Sequence, residues 1–509
     1  MSAGAPLHPA EGCSLGIDLG TSEVKLLLLD AQGSVIGQAG APLSLSQPQP
    51  LWSEQLPQDW WNATQLAVAE LRAAHPQAFA AVRAIGLSGQ MHGAVLLDGD
   101  DMVLRPAILW NDGRSHAECA ELSSRVPNLH AIAGNLAMPG FTAPKLLWVK
   151  RHEPALFARV RSVLLPKDYL RWCLSGDKVS EASDAAGTLW LDVARRDWSD
   201  ELLAACGLSR AQMPRLVDSG APSATLRPAL AAAWGLPAGV VIAGGAGDNA
   251  ASAIGIGATE PGQGFLSLGT SGVLFVVNDR YRPNPASAVH AFCHALPQRW
   301  HQMGVMLSAA SCLRWFTSFS GAGHETTLLD EVARLSPAQR TEAPLFLPYL
   351  AGERTPHNDP FAPGVLHGLT HASTRAHGGY AVLEGVAFGL ADALDALRAA
   401  GTEVGPLALV GGGARSALWA QLLADVLGLE LRQLDGAETG AALGAARLGW
   451  LAAGADPARV CTPLAVTARF HPTPGAAARL AERRARFQSL YQRLRAPSTT
   501  PRQALAMTA

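Results

Sequence analysis

Residues 15–30 read LGIDLGTSEVKLLLLD, and residues 265–277 read FLSLGTSGVLFVV. Each stretch is an apolar strand, a tight Leu-Gly-Thr-Ser turn and a second apolar strand, the pattern of a β-hairpin. The two lie about 250 residues apart, half the chain and far beyond any solenoid period. One device used twice at that spacing predicts two large domains that each open on the same hairpin. The run GATEPGQG at residues 257–264 has the Gly and Pro content of a hinge or linker, and it marks the boundary.

Outward from the hairpins, strand-like and helix-like runs mix in both halves. VRAIGLSGQ, GAVLLD and VLRPAILW read as strands, whereas WWNATQLAVAELRAA and FARVRSVLL read as helices. In the second half PLALVGGG is a strand entering a glycine turn, and SALWAQLLADVLGL is an amphipathic helix with Ser416 as its cap. AARLAERRARFQSLYQRLRA closes the chain as a helix with Leu480, Phe487, Leu490, Tyr491 and Leu494 on one stripe. The fold class expected is α/β, with flexible tails at residues 1–11 and 497–509.

Composition bounds the function. A chain of 509 residues exceeds one compact core. With 48% hydrophobic residues and only 16% charged, against about 25% in an average protein, it should bury broad surfaces rather than stay disordered. A formal net charge of −2 offers no basic field to nucleic acid or an anionic membrane. The first dozen residues lack the basic start and apolar core of a signal peptide, and no strongly apolar run is long enough to span a bilayer. Seven cysteines without a CxxC pair read as free thiols in a reducing cytosol, so a cytoplasmic protein is expected. His290, Cys293 and His294 are too few for a zinc site and read as packing residues.

The chemistry concentrates at glycine turns. An LGTS turn presents backbone N–H groups and the hydroxyl of Thr21 or Thr270, which suit phosphate oxygens. Asp18, at the end of the strand before the first turn, can hold Mg²⁺ through waters or simply cap the turn. No Walker A pattern occurs, no GxGxxG follows a strand, and LGTS does not fit the GxSxG elbow. LVGGGARS at residues 409–416 allows a ligand close to the backbone, or is a plain strand-to-helix turn. GGAGDNAASAIGIG at residues 244–257 places Asp248 at the start of a helix of small residues. There it is either an N-cap or a general base, and spacing does not choose between them. Met91 and His92 in SGQMHGAVLLD, with Trp110, Asn111, Asp112 and Arg114 in LRPAILWNDGRS, form a set suited to a polyol. The plainer readings are a core Trp110 and an ion-paired Arg114.

These residues together resemble the FGGY family of carbohydrate kinases, over residues 15–495. GFTAPKLLWVKRH, 140–152, fits the first family signature throughout; GVLHGLTHASTRAHGGYAVLE, 364–384, fits the second except at Gly378, where an aliphatic residue is expected and a glycine could loosen a helix start. The resemblance implies two actin-like, ribonuclease-H-like domains with a cleft between them. Domain 12–257 would carry the sugar site, the first phosphate hairpin and the catalytic aspartate, and domain 262–495 the nucleotide site. It implies ATP and Mg²⁺ as cofactors, Asp248 as the proton acceptor, and Asp18 with Asp248 as metal holders. Met91, His92 and Asn249 would hold the sugar, with Asn111 and Asp112 in the same set. Thr21, Ser22, Lys25 and Thr270 would meet the ATP phosphates, and Gly412 and Gly413 would pass close to the nucleotide. The runs PLWSEQ, GQMHGAVLLD, LLPKDYLR and FLPYLAGERTPHN are most similar to members acting on D-xylulose, which implies phosphorylation to D-xylulose 5-phosphate in xylose catabolism. Two alternatives stand beside this: an FGGY kinase for ribulose or xylitol, and a non-catalytic actin-like ATPase or sugar sensor. The expected partners are a sugar and MgATP, not nucleic acid or membrane, with a homodimer left open.

Overall fold

The computed structural model describes residues 12–495, and both expected tails lie outside the described residues. The first sheet contains β1 (Cys13–Leu19), β2 (Glu23–Asp30), β3 (Val35–Pro42), β4 (Val82–Gly89), β5 (Pro222–Thr225), β6 (Val241–Ala243) and β7 (Ala246–Gly247). Its order is β5-β6-β4-β1-β2-β3, with β7 also beside β4. The second contains β8 (Gly264–Leu268), β9 (Gly272–Asn278), β10 (His290–Cys293), β11 (Trp300–Met306), β12 (Leu407–Val410), β13 (Leu431–Leu434) and β14 (Val466–Phe470). Its order is β10-β11-β9-β8-β12-β13-β14.

The centres of the two sheets share one topology. In the first, β3, β2 and β1 run antiparallel, and β4 and β6 continue parallel to β1. In the second, β11, β9 and β8 run antiparallel, and β12 and β13 continue parallel to β8. The two LGTS hairpins, β1–β2 and β8–β9, occupy equivalent places. Strands β1 and β2 are apolar without alternation because both faces of their sheet are covered.

Helices supply the covering. α1 (Pro57–Ala74) buries Trp60, Val68 and Leu71 on the first sheet. α2 (Pro166–Ser175) runs beneath the ends of β1 and β4, and α3 (Asp248–Ile256) begins directly after β7. In the second half α4 (Ala310–Phe319) and α5 (Arg375–Ala399) form the main core with β8 and β9. α6 (Ala417–Leu427) follows the glycine turn, and Ser416 caps it by accepting the Trp419 N–H at 3.3 Å. The glycine at 378 does not loosen the start of α5: the helix begins at Arg375, and a Cβ at 378 would overlap the Phe316 ring.

One helix does not stay with its own half. α7 (Gly440–Ala452), which lies beyond the sequence boundary, packs across β1, β4 and α3 of the first half. The backbones touch. A Cβ at Gly86 of β4 would overlap the Ala445 carbonyl, and one at Gly444 would overlap the Ala251 carbonyl of α3. Ser14 Oγ closes the contact by donating to the Ala446 carbonyl at 2.7 Å. Only glycine permits this approach, so Gly86→Ala should destabilise the fold by about 1–3 kcal/mol through forced backbone separation. A lowered urea midpoint at unchanged slope would show it, and an unchanged midpoint would refute it.

Two local expectations need correction. FARVRSVLL is not a helix: a short helix ends at Phe157, and Ser162–Leu164 is a strand paired with Val95–Leu97. Val160 and Val163 are β-branched, and the available partner strand decides their state. The closing helix α8 (Ala476–Leu494) buries Phe487, Leu490 and Tyr491, but Leu494 at its end is exposed.

Candidate active site

The ends of three parallel strands fix the first carboxylates. Asp18 lies beside Ser88, and Ser88 beside Ala246; one residue on, Leu19, Gly89 and Gly247 are in line. Asp248 follows immediately as the first residue of α3, at the carboxyl ends of the strands where α/β sheets bind ligands. The N-cap of that helix is Gly247, and Asp248 makes no capping bond. Its Oδ1 accepts the N–H of Asn249 at 2.7 Å and the Asn249 Nδ2 at 2.9 Å. Its Oδ2 accepts nothing among the described residues.

Asp248 lies within charge range of Asp18. Burial, then the Asp18 carboxylate, push the Asp248 carboxyl up to about 6, against the hydrogen bonds from Asn249. Burial raises the Asp18 carboxyl as well. Asp18 Oδ1 is buried without a hydrogen-bond partner. Two carboxylates within charge range of each other, one with an unpartnered oxygen, fit a divalent cation. Among the described residues no group of three or more His, Cys, Asp or Glu could hold a metal alone. The donor set therefore suits a divalent cation that the protein would hold only in part.

The Asp248 turn rests on buried charge. Lys167 Nζ lies 2.8 Å from Asp168 Oδ1, 3.0 Å from Asp184 Oδ2 and 3.4 Å from Glu181 Oε1, all fully buried. Burial opposes the ammonium charge, but Asp168, Asp184 and Glu181 hold the Lys167 pKa above the ordinary lysine range. Arg171 pairs with Asp168 at 3.0 Å and donates to the Gly244 carbonyl. Ser183 Oγ accepts the Gly247 N–H at 3.2 Å. Both ends of the Gly244–Gly247 loop are thereby tied to one ionic cluster.

Met91 and His92 stand beside that loop. The Met91 side chain fills the space next to Gly247 and Gly187. His92 takes a left-handed backbone, φ 69°, and its carbonyl accepts Lys145 Nζ at 2.9 Å and Thr142 Oγ1 at 3.1 Å. The FTAPK run of the first signature thus holds the turn. His92 Nδ1 meets the Gly187 carbonyl at 2.6 Å. A carbonyl only accepts, so Nδ1 carries the proton and Nε2 keeps a free lone pair. Burial holds the ring's pKa down at about 3, so it stays neutral. Phe141 packs on it at 4.6 Å between centroids, and Phe292, from β10 of the second half, at 6.2 Å.

Of the expected nucleotide residues, Thr270, Gly412 and Gly413 meet at the second sheet. β8 and β12 are parallel neighbours, so the turn at Thr270 and the turn at Gly412 and Gly413 emerge side by side. Leu268 packs directly beneath Gly413, 2.6 Å from where a Cβ would stand, while nothing approaches Gly412. α4 braces the hairpin turn: the Thr270 carbonyl accepts the Ala309 N–H at 2.9 Å and Ser311 Oγ at 2.8 Å.

Other expected residues are committed elsewhere. Thr21 Oγ1 donates to Gln90 Oε1 at 3.2 Å and accepts Trp110 Nε1 at 3.0 Å, so the hydroxyl of Ser22, which is exposed, is the freer one at that turn. Lys25 pairs with Glu23 at 2.9 Å on the exposed side of the hairpin. Asp112 is buried and braces a loop through the Ser53 N–H at 2.6 Å and Arg114 Nη2 at 2.6 Å. Arg114 also lies 3.5 Å above the Trp52 ring, so the ion-pair reading describes it. Asn111 beside it is exposed. Sequence reasoning missed Phe141, Phe292, His290 and Arg354 as neighbours of His92. The one available signal was the family-like run FLPYLAGERTPHN, which contains Arg354.

Models of the FGGY family of carbohydrate kinases match the chain twice, the N-terminal domain over residues 13–255 and the C-terminal domain over residues 264–453. A xylulose kinase of Escherichia coli strain K12 is 51% identical over 483 residues, 94% of this chain and 99% of that protein. A crystal structure of a xyloylose kinase from Brucella ovis superposes with a TM-score of 0.92 at 52% identity, covering 95% of this chain and 99% of its own. The xylulose kinase from Rhodospirillum rubrum gives 0.87 at 29% identity, covering 94% and 98%.

Proposed function

Because the chain belongs to the FGGY family of carbohydrate kinases, we propose that it transfers the γ-phosphoryl group of ATP to the 5-hydroxyl of D-xylulose, with Asp248 as the general base. Near-complete coverage of xylulose kinases at about half identity supports the substrate. The observation that supports the mechanism is an Asp248 carboxylate with one oxygen unused, within charge range of Asp18, whose Oδ1 is buried and unpartnered.

In this reading the sugar lies along Met91, with His92 Nε2 accepting from a sugar hydroxyl and Asn249 beside the base. Asp248 Oδ2 takes the proton of the 5-hydroxyl. That oxygen attacks the γ-phosphorus in line, and ADP leaves with the bond electrons. Asp18 and Asp248 would hold Mg²⁺, which neutralises phosphate charge. The hydroxyls of Ser22 and Thr270 and the turn backbones orient the phosphates from both sheets, and Gly412 and Gly413 leave room for the nucleotide.

A substrate panel with coupled ADP release tests this. D-Xylulose should lead ribulose, xylitol and glycerol in kcat/KM. A preference of about 100-fold or more for another sugar would overturn the substrate, and ADP release indifferent to any sugar would point to an actin-like ATPase instead.

His92→Ala removes an acceptor without touching the base or the phosphate turns. It should raise the KM for xylulose about tenfold or more and leave the KM for ATP within about twofold. Equal effects on both would make His92 a packing residue.

A further inference from the structure

Arg354, half-buried, differs from the buried Arg171 and Arg483. Arg483 is bound by Glu384 at 2.6 Å and by the carbonyls of Thr341 and Ala343, and Arg171 by Asp168 and two carbonyls. Arg354 makes one side-chain bond among the described residues, from Nη1 to His290 Nε2 at 3.3 Å. That bond fixes the His290 tautomer, since Nε2 must accept. Nδ1 then carries the proton and donates to Asn135 Oδ1 at 2.8 Å, and Asn135 Nδ2 donates to the Ala133 and Ala291 carbonyls. A fixed polar chain therefore holds a guanidinium that has no carboxylate partner. The adjacent Glu353 does not supply one. Its Oε1 accepts the N–H groups of Arg354 and Leu307, and burial pushes its carboxyl up to about 8, so it is mostly neutral at pH 7.

The guanidinium lies within charge range of both His92 and His290, whose rings share the Phe141–Phe292 cluster. It reaches this cluster from the second half of the chain, while His92 belongs to the first. Met91 separates His92 from the loop that carries Asp248. A pentulose whose 5-hydroxyl meets Asp248 therefore presents its other end, carbons 1 and 2, to His92 and Arg354. A ketone oxygen only accepts, and a guanidinium only donates.

We propose that Arg354 is a specificity-determining residue that donates to the carbonyl end of the ketose, so that the second half of the chain reads the sugar as well as the nucleotide. The proposal rests on the D-xylulose reading above. His290 is its positioning residue.

The test compares D-xylulose with xylitol, the polyol that lacks the carbonyl, in the full chain. Arg354→Gln should lower kcat/KM for D-xylulose about 10- to 100-fold, the range of a hydrogen bond to a charged group, mostly through KM. The inhibition constant of xylitol as a competitor should move less than about threefold, and the KM for ATP should hold. Arg354→Lys keeps the charge but loses the fork, and it should fall between the two. It also serves as the readout if the Gln variant does not fold. An unchanged KM for D-xylulose in either folded variant, or an equal loss for D-xylulose and xylitol, overturns the role. Wild-type protein that fails to phosphorylate D-xylulose would overturn the function reading instead.

Discussion

Asp248→Asn is expected to lower kcat about 10²–10⁴-fold, the usual worth of a positioned base, with the KM for ATP held within about twofold. The amide keeps the shape but has no basic oxygen, whereas the phosphate turns lie on other elements. The wild type should also show an acid limb. Burial and Asp18 place the Asp248 carboxyl at about 6 without metal, and a bound cation lowers it, so the acid limb of kcat/KM for D-xylulose, about tenfold per unit, should lie below about pH 6. The same shift has a stability sign. The folded protein binds this proton more tightly than the unfolded chain, at about 6 against 3.8. Stability is therefore lost as pH rises from about 4 to 6, and ionised Asp248 weakens the fold at neutral pH. Asp248→Asn should accordingly leave Tm at pH 7 unchanged or raised. Near-normal turnover in this variant, or a fallen Tm that accounts for lost activity, would remove Asp248 from the role.

Lys167→Met is expected to destabilise the protein by about 3–5 kcal/mol, the scale for breaking a buried ion pair on one side. The substitution leaves Asp168, Glu181 and Asp184 buried with only Arg171 nearby. Burial has already raised the Asp184 carboxyl against the pull of Lys167, so removing the cation leaves it neutral and unpaired. Urea unfolding measures the loss. Adding Asp184→Leu to Lys167→Met should recover part of it, because a buried carboxyl without a partner costs more than an apolar side chain in its place. A Lys167→Met protein as stable as its parent would mean the cluster carries no net ion pairing. Because Arg171 and Ser183 tie the loop before Asp248, kcat should fall with the single substitution and return in part with the double.

The paired hairpins were legible because strand and turn are local. Apolar runs around Gly-Thr-Ser fold the same way at residues 15–30 and 265–277, and the duplicated topology follows. The strand into Gly411–Gly413, the Ser416 cap and the helix after Asp248 were legible for the same reason. FARVRSVLL was not, because its partner strand at Val95–Leu97 lies more than sixty residues away. Arg354 was hidden among charged loop residues, since what distinguishes it is its place beside His290 and His92, which only the tertiary structure brings together.

By itself the sequence determined two α/β halves, the turns suited to phosphate and the residue types for a sugar pocket. Only the tertiary structure decided that Asp248 leaves the N-cap to Gly247 and lies within charge range of Asp18. Strand register, from β1 through β4 to β7, brings the two carboxylates together. Tertiary packing alone placed α7 on the opposite half, where glycines let backbones touch. Such contacts depend on side chains that are absent, and a missing side chain has no pattern that periodicity can read.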